Sequence, residues 1–227
     1  MLRQQQSKPF STADAMNTNT YFAEVAAQWD QMRKSFFSDE VRRAAFRAAE
    51  ISTDSILKTA ADVGAGTGFM TEGLVRAGLE VIAIDPVQEM LDVLSHKPFS
   101  AYGVECRLGG AENIPIDDMQ VDYVFANMSL HHVENPEQAV AEMYRILKPG
   151  GRLIITDMDT HPFEDLRQAH NDRWMGFDRQ TVAAWFESAG FRWSRIDNVG
   201  SCCGGGASAM TIDGYGIGVF VASGMRH

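Results

Sequence analysis

Three cysteines in 227 residues, two of them adjacent at Cys202 and Cys203, make no even-numbered disulfide framework. That excludes the small secreted scaffolds built on one and points to a reducing compartment. No apolar run reaches the ~18 residues of a membrane span, and the opening MLRQQQSKPFSTADAMNTNT lacks the apolar stretch of a signal peptide. A cytoplasmic protein with no membrane partner is expected. Basic residues are also in short supply: 20 Lys and Arg face 30 Asp and Glu, and the net charge of -10 repels nucleic-acid phosphates. The expected partner is therefore a small molecule and not nucleic acid, met by a monomer or homodimer. Repeats and low-complexity tracts are absent, and a hydrophobic content of 45% suits one globular domain.

Organisation follows from hydrophobic period. Tyr21, Phe22, Val25, Ala26, Trp29, Met32, Arg33 and Phe36 recur at three- and four-residue spacing and predict one helix with an apolar face. Ser38 followed by Asp39 and Glu40 has N-cap chemistry, so a second helix is expected to run to about Glu50. Residues 1–50 thus form a tail and a helical region ahead of a main domain over 51–227. From Thr59 onward, strand-length apolar runs alternate with helical stretches, which specifies an α/β fold with a parallel sheet covered on both faces. Strands are predicted over 59–63, 80–84, 104–108, 121–126 and 152–157, with helices near 68–77, 87–94 and 136–147. The segment from Asp157 to His170 reads as polar, followed by a helix over 179–189 and a closing hairpin from 191–197 and 216–221. The result is a doubly wound, seven-stranded mixed sheet.

The most informative segment is Asp62-Val63-Gly64-Ala65-Gly66-Thr67-Gly68, a strand that ends in glycines and opens into a helix. Without Cβ atoms the backbone can approach a ligand closely, and the free N–H groups at the helix start carry positive partial charge. Asp85 ends the next strand, where a carboxylate can accept both hydroxyls of a ribose. A dinucleotide site wants G-x-G-x-x-G, but Phe69 holds the third position, and the G-K-[ST] of a triphosphate cradle is missing. A nucleotide-dependent oxidoreductase is the weaker alternative.

This loop, with its following acid, resembles the class I S-adenosylmethionine-dependent methyltransferases. The resemblance extends through Asp85-Pro86-Val87-Gln88-Glu89-Met90-Leu91, Gly109-Gly110-Ala111-Glu112-Asn113-Ile114-Pro115, Val121–Asn127 and Leu147-Lys148-Pro149-Gly150-Gly151, covering about residues 59–158. It implies a Rossmann-like sheet under an N-terminal helical lid, with S-adenosyl-L-methionine as cofactor and S-adenosyl-L-homocysteine as product. It further implies that backbone around Gly64, Ala65 and Gly66 faces the methionine moiety, Asp85 the ribose, and Met90, Ala111 and Glu112 the adenine, with Asp62, Gly68, Pro86 and Met128 also among the cofactor-binding residues. Asn127 would stand nearest the transferring methyl group. Gly68 reads equally well as a helix–strand packing position.

On the acceptor side, His131 and His132 follow the fourth strand at its carboxyl end, and either is a candidate base. The same pair resembles that of family members with different acceptors, which favours a structural or lining role. Tyr21, Trp29 and Arg33 are candidates on the lid, as are His170 and Trp174 in the polar–aromatic stretch after the fifth strand. Cys202 and Cys203 loosely resemble the thiols of arsenite-type methyltransferases, though that family spaces its cysteines more widely. No metal site is expected: the histidines lack H-E-x-x-H spacing and the carboxylates lack an EF-hand pattern. A module that binds S-adenosylmethionine without transferring its methyl group is the remaining alternative.

Overall fold

A computed structural model describes residues 12–35, 39–51, 57–202 and 216–227. It begins with α1 (Thr12–Val25), a 3-10 turn at Ala26–Gln28, α2 (Trp29–Met32), a second 3-10 turn at Arg33–Ser35, and α3 (Asp39–Ala49). The single helix expected over this stretch is therefore broken, and Phe36 lies outside the described residues. The break has a tertiary cause. Ala26 is buried against Val87 and Met90, and the Asp30 carboxylate accepts from Thr67 Oγ1 at 2.7 Å and pairs with Lys97 Nζ at 2.5 Å. These contacts draw the chain onto the glycine loop at the expense of a regular helical period.

Alternation then follows: β1 (Thr59–Val63), α4 (Phe69–Arg76), β2 (Glu80–Asp85), α5 (Gln88–Ser95), β3 (Val104–Leu108), β4 (Val121–Asn127), α6 (Pro136–Ile146), β5 (Leu147–Met158), α7 (Glu164–His170), α8 (Arg179–Ala189), β6 (Arg192–Cys202) and β7 (Ile217–Met225). The sheet has seven strands in the order β3-β2-β1-β4-β5-β7-β6, with β7 antiparallel to both neighbours. This is the doubly wound mixed sheet expected, and its strand order reverses between β1 and β4.

Successive strand residues serve opposite faces, as a two-residue period demands. Ala61, Val124 and Ile155 pack beneath α6 and α8, while Ala60, Phe125 and Ile154 pack beneath α3 and α4. Because Ala44, Ala45 and Ala49 of α3 join that second cluster, α3 is part of the sheet's helical layer, and α1 and α2 are left to lie over the strand ends. Helix starts follow local chemistry: the Asn135 side chain accepts from Gln138 N ahead of Pro136, and Asp178 accepts from Gln180 N and Thr181 N.

Several local readings differ from the fold. The turn Lys148–Gly151 is absorbed into β5 as an irregularity in its pairing with β4, where Leu147 pairs with Val121 and Arg152 with Tyr123. The stretch read as merely polar contains α7, held by Glu164 against Arg167 and Gln168 with only Leu166 buried, so it has no apolar period to find. Cys106, expected in a buried strand, is half-buried because β3 is an edge strand.

Gly68 shows how tightly β1 and α4 are joined. Its φ is +92°, and an added Cβ would lie 2.9 Å from Leu94 Cγ and 3.0 Å from Phe99 Cζ. Left-handed backbone costs a substituted residue ~1–2 kcal/mol before any clash. Gly68→Ala is expected to lower the thermal unfolding midpoint by about 3–8 °C, on the scale of ~2–4 °C per kcal/mol for a chain of this size. An unchanged melting curve would show that Leu94 and Phe99 yield freely.

Candidate functional site

A cavity of about 350 Å³ opens at the carboxyl ends of β1 and β4, the switch point where open parallel sheets bind ligands. Its floor is the turn after β1. Gly64 N and Ala65 N donate to Ile84 O at 2.8 and 3.0 Å, locking this turn to β2. Gly64 has a φ of +73°, and its missing Cβ would stand 2.5 Å from Ser129 Cβ. A side chain there would push the loop after β4 off the turn.

Asp85 is the joint of the site. Its Oδ2 accepts from Gly66 N at 2.8 Å and its Oδ1 from Val87 N at 2.9 Å, so one carboxylate holds the glycine loop to the start of α5. It is 6% exposed, and burial pushes its pKa up to about 6 although both N–H groups pull it down. Beneath it, Asp62 accepts from Thr71 Oγ1 at 2.5 Å and is pushed by burial up to about 7.

Among the residues named from the sequence, Asp62, Gly64, Ala65, Gly66, Asp85 and Pro86 line this cavity, as do Met90, Ala111, Glu112, Asn127 and Met128 on its far side. Glu112 Oε1 accepts from Asn135 N at 2.9 Å, and Asn127 Oδ1 accepts from Thr156 Oγ1 at 2.8 Å. Overhead, Trp29 Nε1 lies 3.7 Å from where a Cβ on Gly66 would stand, and the Arg33 guanidinium sits 4.1 Å over the Phe69 ring. Both also line the cavity.

The described lining omits Gly68, Tyr21, His131, His170 and Trp174. Gly68 serves packing, as above. Tyr21 sets its ring edge-on to Phe22 at 5.2 Å, and it is Phe22 that reaches the cavity. Trp174 Nε1 donates to Val133 O at 2.8 Å, which turns the indole into a support for the wall; His170 sits at the end of α7. Cys202 pairs with Ile217 in the hairpin, but its side chain and Cys203 lie outside the described residues. Phe22 was visible in the helical stripe and Arg173 in the polar–aromatic stretch, yet nothing local distinguished them from their neighbours.

The two histidines part company. His131 is 5% exposed, and its Nδ1 lies 2.7 Å from Asp157 Oδ1. Asp157 also accepts from the N–H groups of Leu130, His131 and Met158, and the His131 carbonyl accepts from Arg173 N and Trp174 N. A residue so committed is a strut between β5 and the segment after α7, which corrects its candidacy as a base facing the acceptor. His132 does line the cavity. Burial, and then the neighbouring His131, hold its pKa well below the usual 6.5, so its imidazole is neutral at neutral pH. Asp172, pushed by burial up to about 6, lies 3.7 Å from a nitrogen of each ring. No metal site was expected from linear spacing; folding brings side-chain atoms of His131, His132 and Asp172 within 4.8 Å of one another.

Comparison with known proteins agrees with this geometry. A family model described as a methyltransferase domain matches residues 61–155. An uncharacterised methyltransferase of Mycobacterium tuberculosis is 48% identical over 92 residues, a match that covers 40% of this chain and only 36% of that protein. A demethylmenaquinone methyltransferase of Clavibacter sepedonicus is 30% identical over 175 residues, covering 75% of this chain and 68% of that one. Among solved structures, the putative methyltransferase complexed with the Trm112 activator of Haloferax volcanii has the same fold, with a TM-score of 0.72 at 18% identity over 91% of this chain and 98% of that one.

The raised pKa of Asp62 has a thermodynamic consequence with a definite sign. Its folded pKa of about 7 exceeds the ordinary 3.8, so the native state binds the proton more tightly than the unfolded chain and loses stability as pH rises between those values. Asp62→Asn is therefore expected to gain stability relative to the parent from pH ~4 to ~7, by on the order of 1 kcal/mol per unit. Denaturant unfolding of both proteins across that range measures it, and a constant difference would mean that Asp62 stays ionised.

Proposed function

The chain belongs to the class I S-adenosylmethionine-dependent methyltransferases, and from that premise we propose that it transfers the methyl group of S-adenosyl-L-methionine to a small-molecule acceptor. The observation that carries this reading is the buried Asp85 carboxylate, gripped by Gly66 N and Val87 N at the wall of the switch-point cavity. Each carboxylate oxygen spends one lone pair on the backbone and keeps another for a sugar hydroxyl.

The residues present fit such a cofactor. Gly64 and Gly66 leave bare backbone at the cavity floor, and Met90, Ala111 and Glu112 offer an apolar slot with a polar edge for adenine. Bound there, the cofactor supplies a methyl group already activated by a sulfonium. The chain's part is to orient and exclude water. Phe22 and Trp29, edge to face with centroids 5.3 Å apart, close the cavity from above, and Asp30 holds them down through Thr67 and Lys97. This makes α1 and α2 the lid. His132 presents a neutral imidazole on the acceptor side.

One second reading keeps a specific observation in its favour: because His131 is tied to Asp157, the wall shows no arranged nucleophile–base pair among the described residues, which suits a module that binds the cofactor without turnover. The metalloid-acceptor reading rests on Cys202 and Cys203 and draws no support from the described residues.

Calorimetry against S-adenosyl-L-methionine and NADH, followed by a metabolite screen for S-adenosyl-L-homocysteine release, tests the proposal. Binding of the former alone is expected, with affinity falling at least tenfold in Asp85→Ala and about fivefold in Trp29→Ala. Heat from NADH, or full affinity in Asp85→Ala, would overturn the cofactor assignment, and binding with no product from any acceptor would favour the second reading.

A further inference from the structure

Beside the cavity, outside the loops assigned to the cofactor, His131 Nε2, His132 Nδ1 and Asp172 Oδ1 all lie within 4.8 Å of one another. Asp172 Oδ1 is 3.7 Å from each nitrogen. That is too long for a hydrogen bond, but near the roughly 3.3–3.4 Å that separates neighbouring ligands around a tetrahedral ion bound at ~2.0–2.1 Å. We infer that His131, His132 and Asp172 form a binding site for one divalent transition-metal ion of the zinc class.

The arrangement of the rings supports this. The short contact to Asp157 Oδ1 engages His131 through Nδ1, and Nε2 is the ring atom that faces Asp172. A carboxylate behind an imidazole is also what fixes the ring orientation of metal-bound histidine. His132 Nδ1 is buried and makes no hydrogen bond, and the Asp172 carboxyl is itself 4% exposed. Two imidazole nitrogens and a carboxylate oxygen gathered in a nearly dry pocket are a donor set that suits a transition-metal cation. A proton bridges atoms at hydrogen-bond distance, whereas a metal ion suits the wider spacing found here.

Two imidazoles and one carboxylate suit zinc, nickel, copper or iron better than calcium or magnesium, which prefer oxygen. Three protein ligands leave a fourth position. Since His132 belongs to the cavity wall, water or an acceptor oxygen would fill that position from the cavity side. Sequence spacing concealed the site because Asp172 joins the histidine pair only through the fold.

The test is titration of the full-length, chelator-stripped chain with Co2+ and then Zn2+, without S-adenosyl-L-methionine, so that its outcome is independent of methyl transfer. Uptake of one ion per chain is expected, with the visible absorption of tetrahedral cobalt, no thiolate charge-transfer band, and displacement by Zn2+. His132→Ala and Asp172→Asn should weaken uptake at least tenfold, while exposed His96→Ala and the pair Cys202→Ser with Cys203→Ser should leave it unchanged. No uptake, a thiolate band, loss of the ion in the serine variant, or unaltered affinity in His132→Ala and Asp172→Asn would each overturn the site. If those two variants fail to fold, the parent spectrum alone decides: a thiolate-free tetrahedral band supports the site, and its absence refutes it.

Discussion

The Asp85 carboxylate is the contact on which the rest of the site depends. The N–H groups of Gly66, in the turn after β1, and of Val87, just beyond the end of β2, converge on this one side chain. With it in place, the turn after β1 and the start of α5 become a single surface. Burial works against the charge, which is why its pKa rises, while the two N–H bonds work for it. A carboxylate held in this balance is rigid, partly desolvated and aimed into the cavity.

The N-terminal helices extend the same logic. Their anchor is again a carboxylate: Asp30, which ties α2 to Thr67 of the glycine loop and to Lys97 beyond α5. Ala26 contributes by being small enough for close approach to Val87 and Met90. The aromatic edge of Phe22 reaches His132, with ring centroids 4.8 Å apart, so the lid touches both the cofactor floor and the acceptor wall. Displacement of α1 and α2 would therefore be felt on both sides of the cavity at once.

What was legible in the sequence shares one property, namely that its cause is local. The run from Asp62 to Gly68 states strand, bare turn and helix in consecutive residues, and the order of β1 to β5 follows from alternating apolar runs. Ser38 followed by Asp39 and Glu40 announces α3 by capping chemistry within three residues. What escaped has non-local causes. The helix containing Trp29 is broken by partners on Thr67 and Lys97, α7 has a charge ladder and no apolar stripe, and Gly68 is explained by Leu94 and Phe99. Tyr21 and Trp174 fall outside the cavity lining for a related reason: aromatic residues in a stripe look alike until the neighbour that actually faces the cavity is known.

The histidine pair carries this furthest. Adjacent residues differ in role because their partners lie elsewhere: Asp157, 26 residues from His131, takes one ring into the protein interior, while His132 turns to the cavity. Polar groups buried at this density are costly unless satisfied, and His131 is satisfied by Asp157, which also collects three backbone N–H groups. That commitment fixes the orientation of the His131 ring, with Nδ1 toward Asp157 and Nε2 toward Asp172. Asp172, 4% exposed and 3.7 Å from a nitrogen of each ring, completes the group, and the metal ion we infer there would draw on all three side chains.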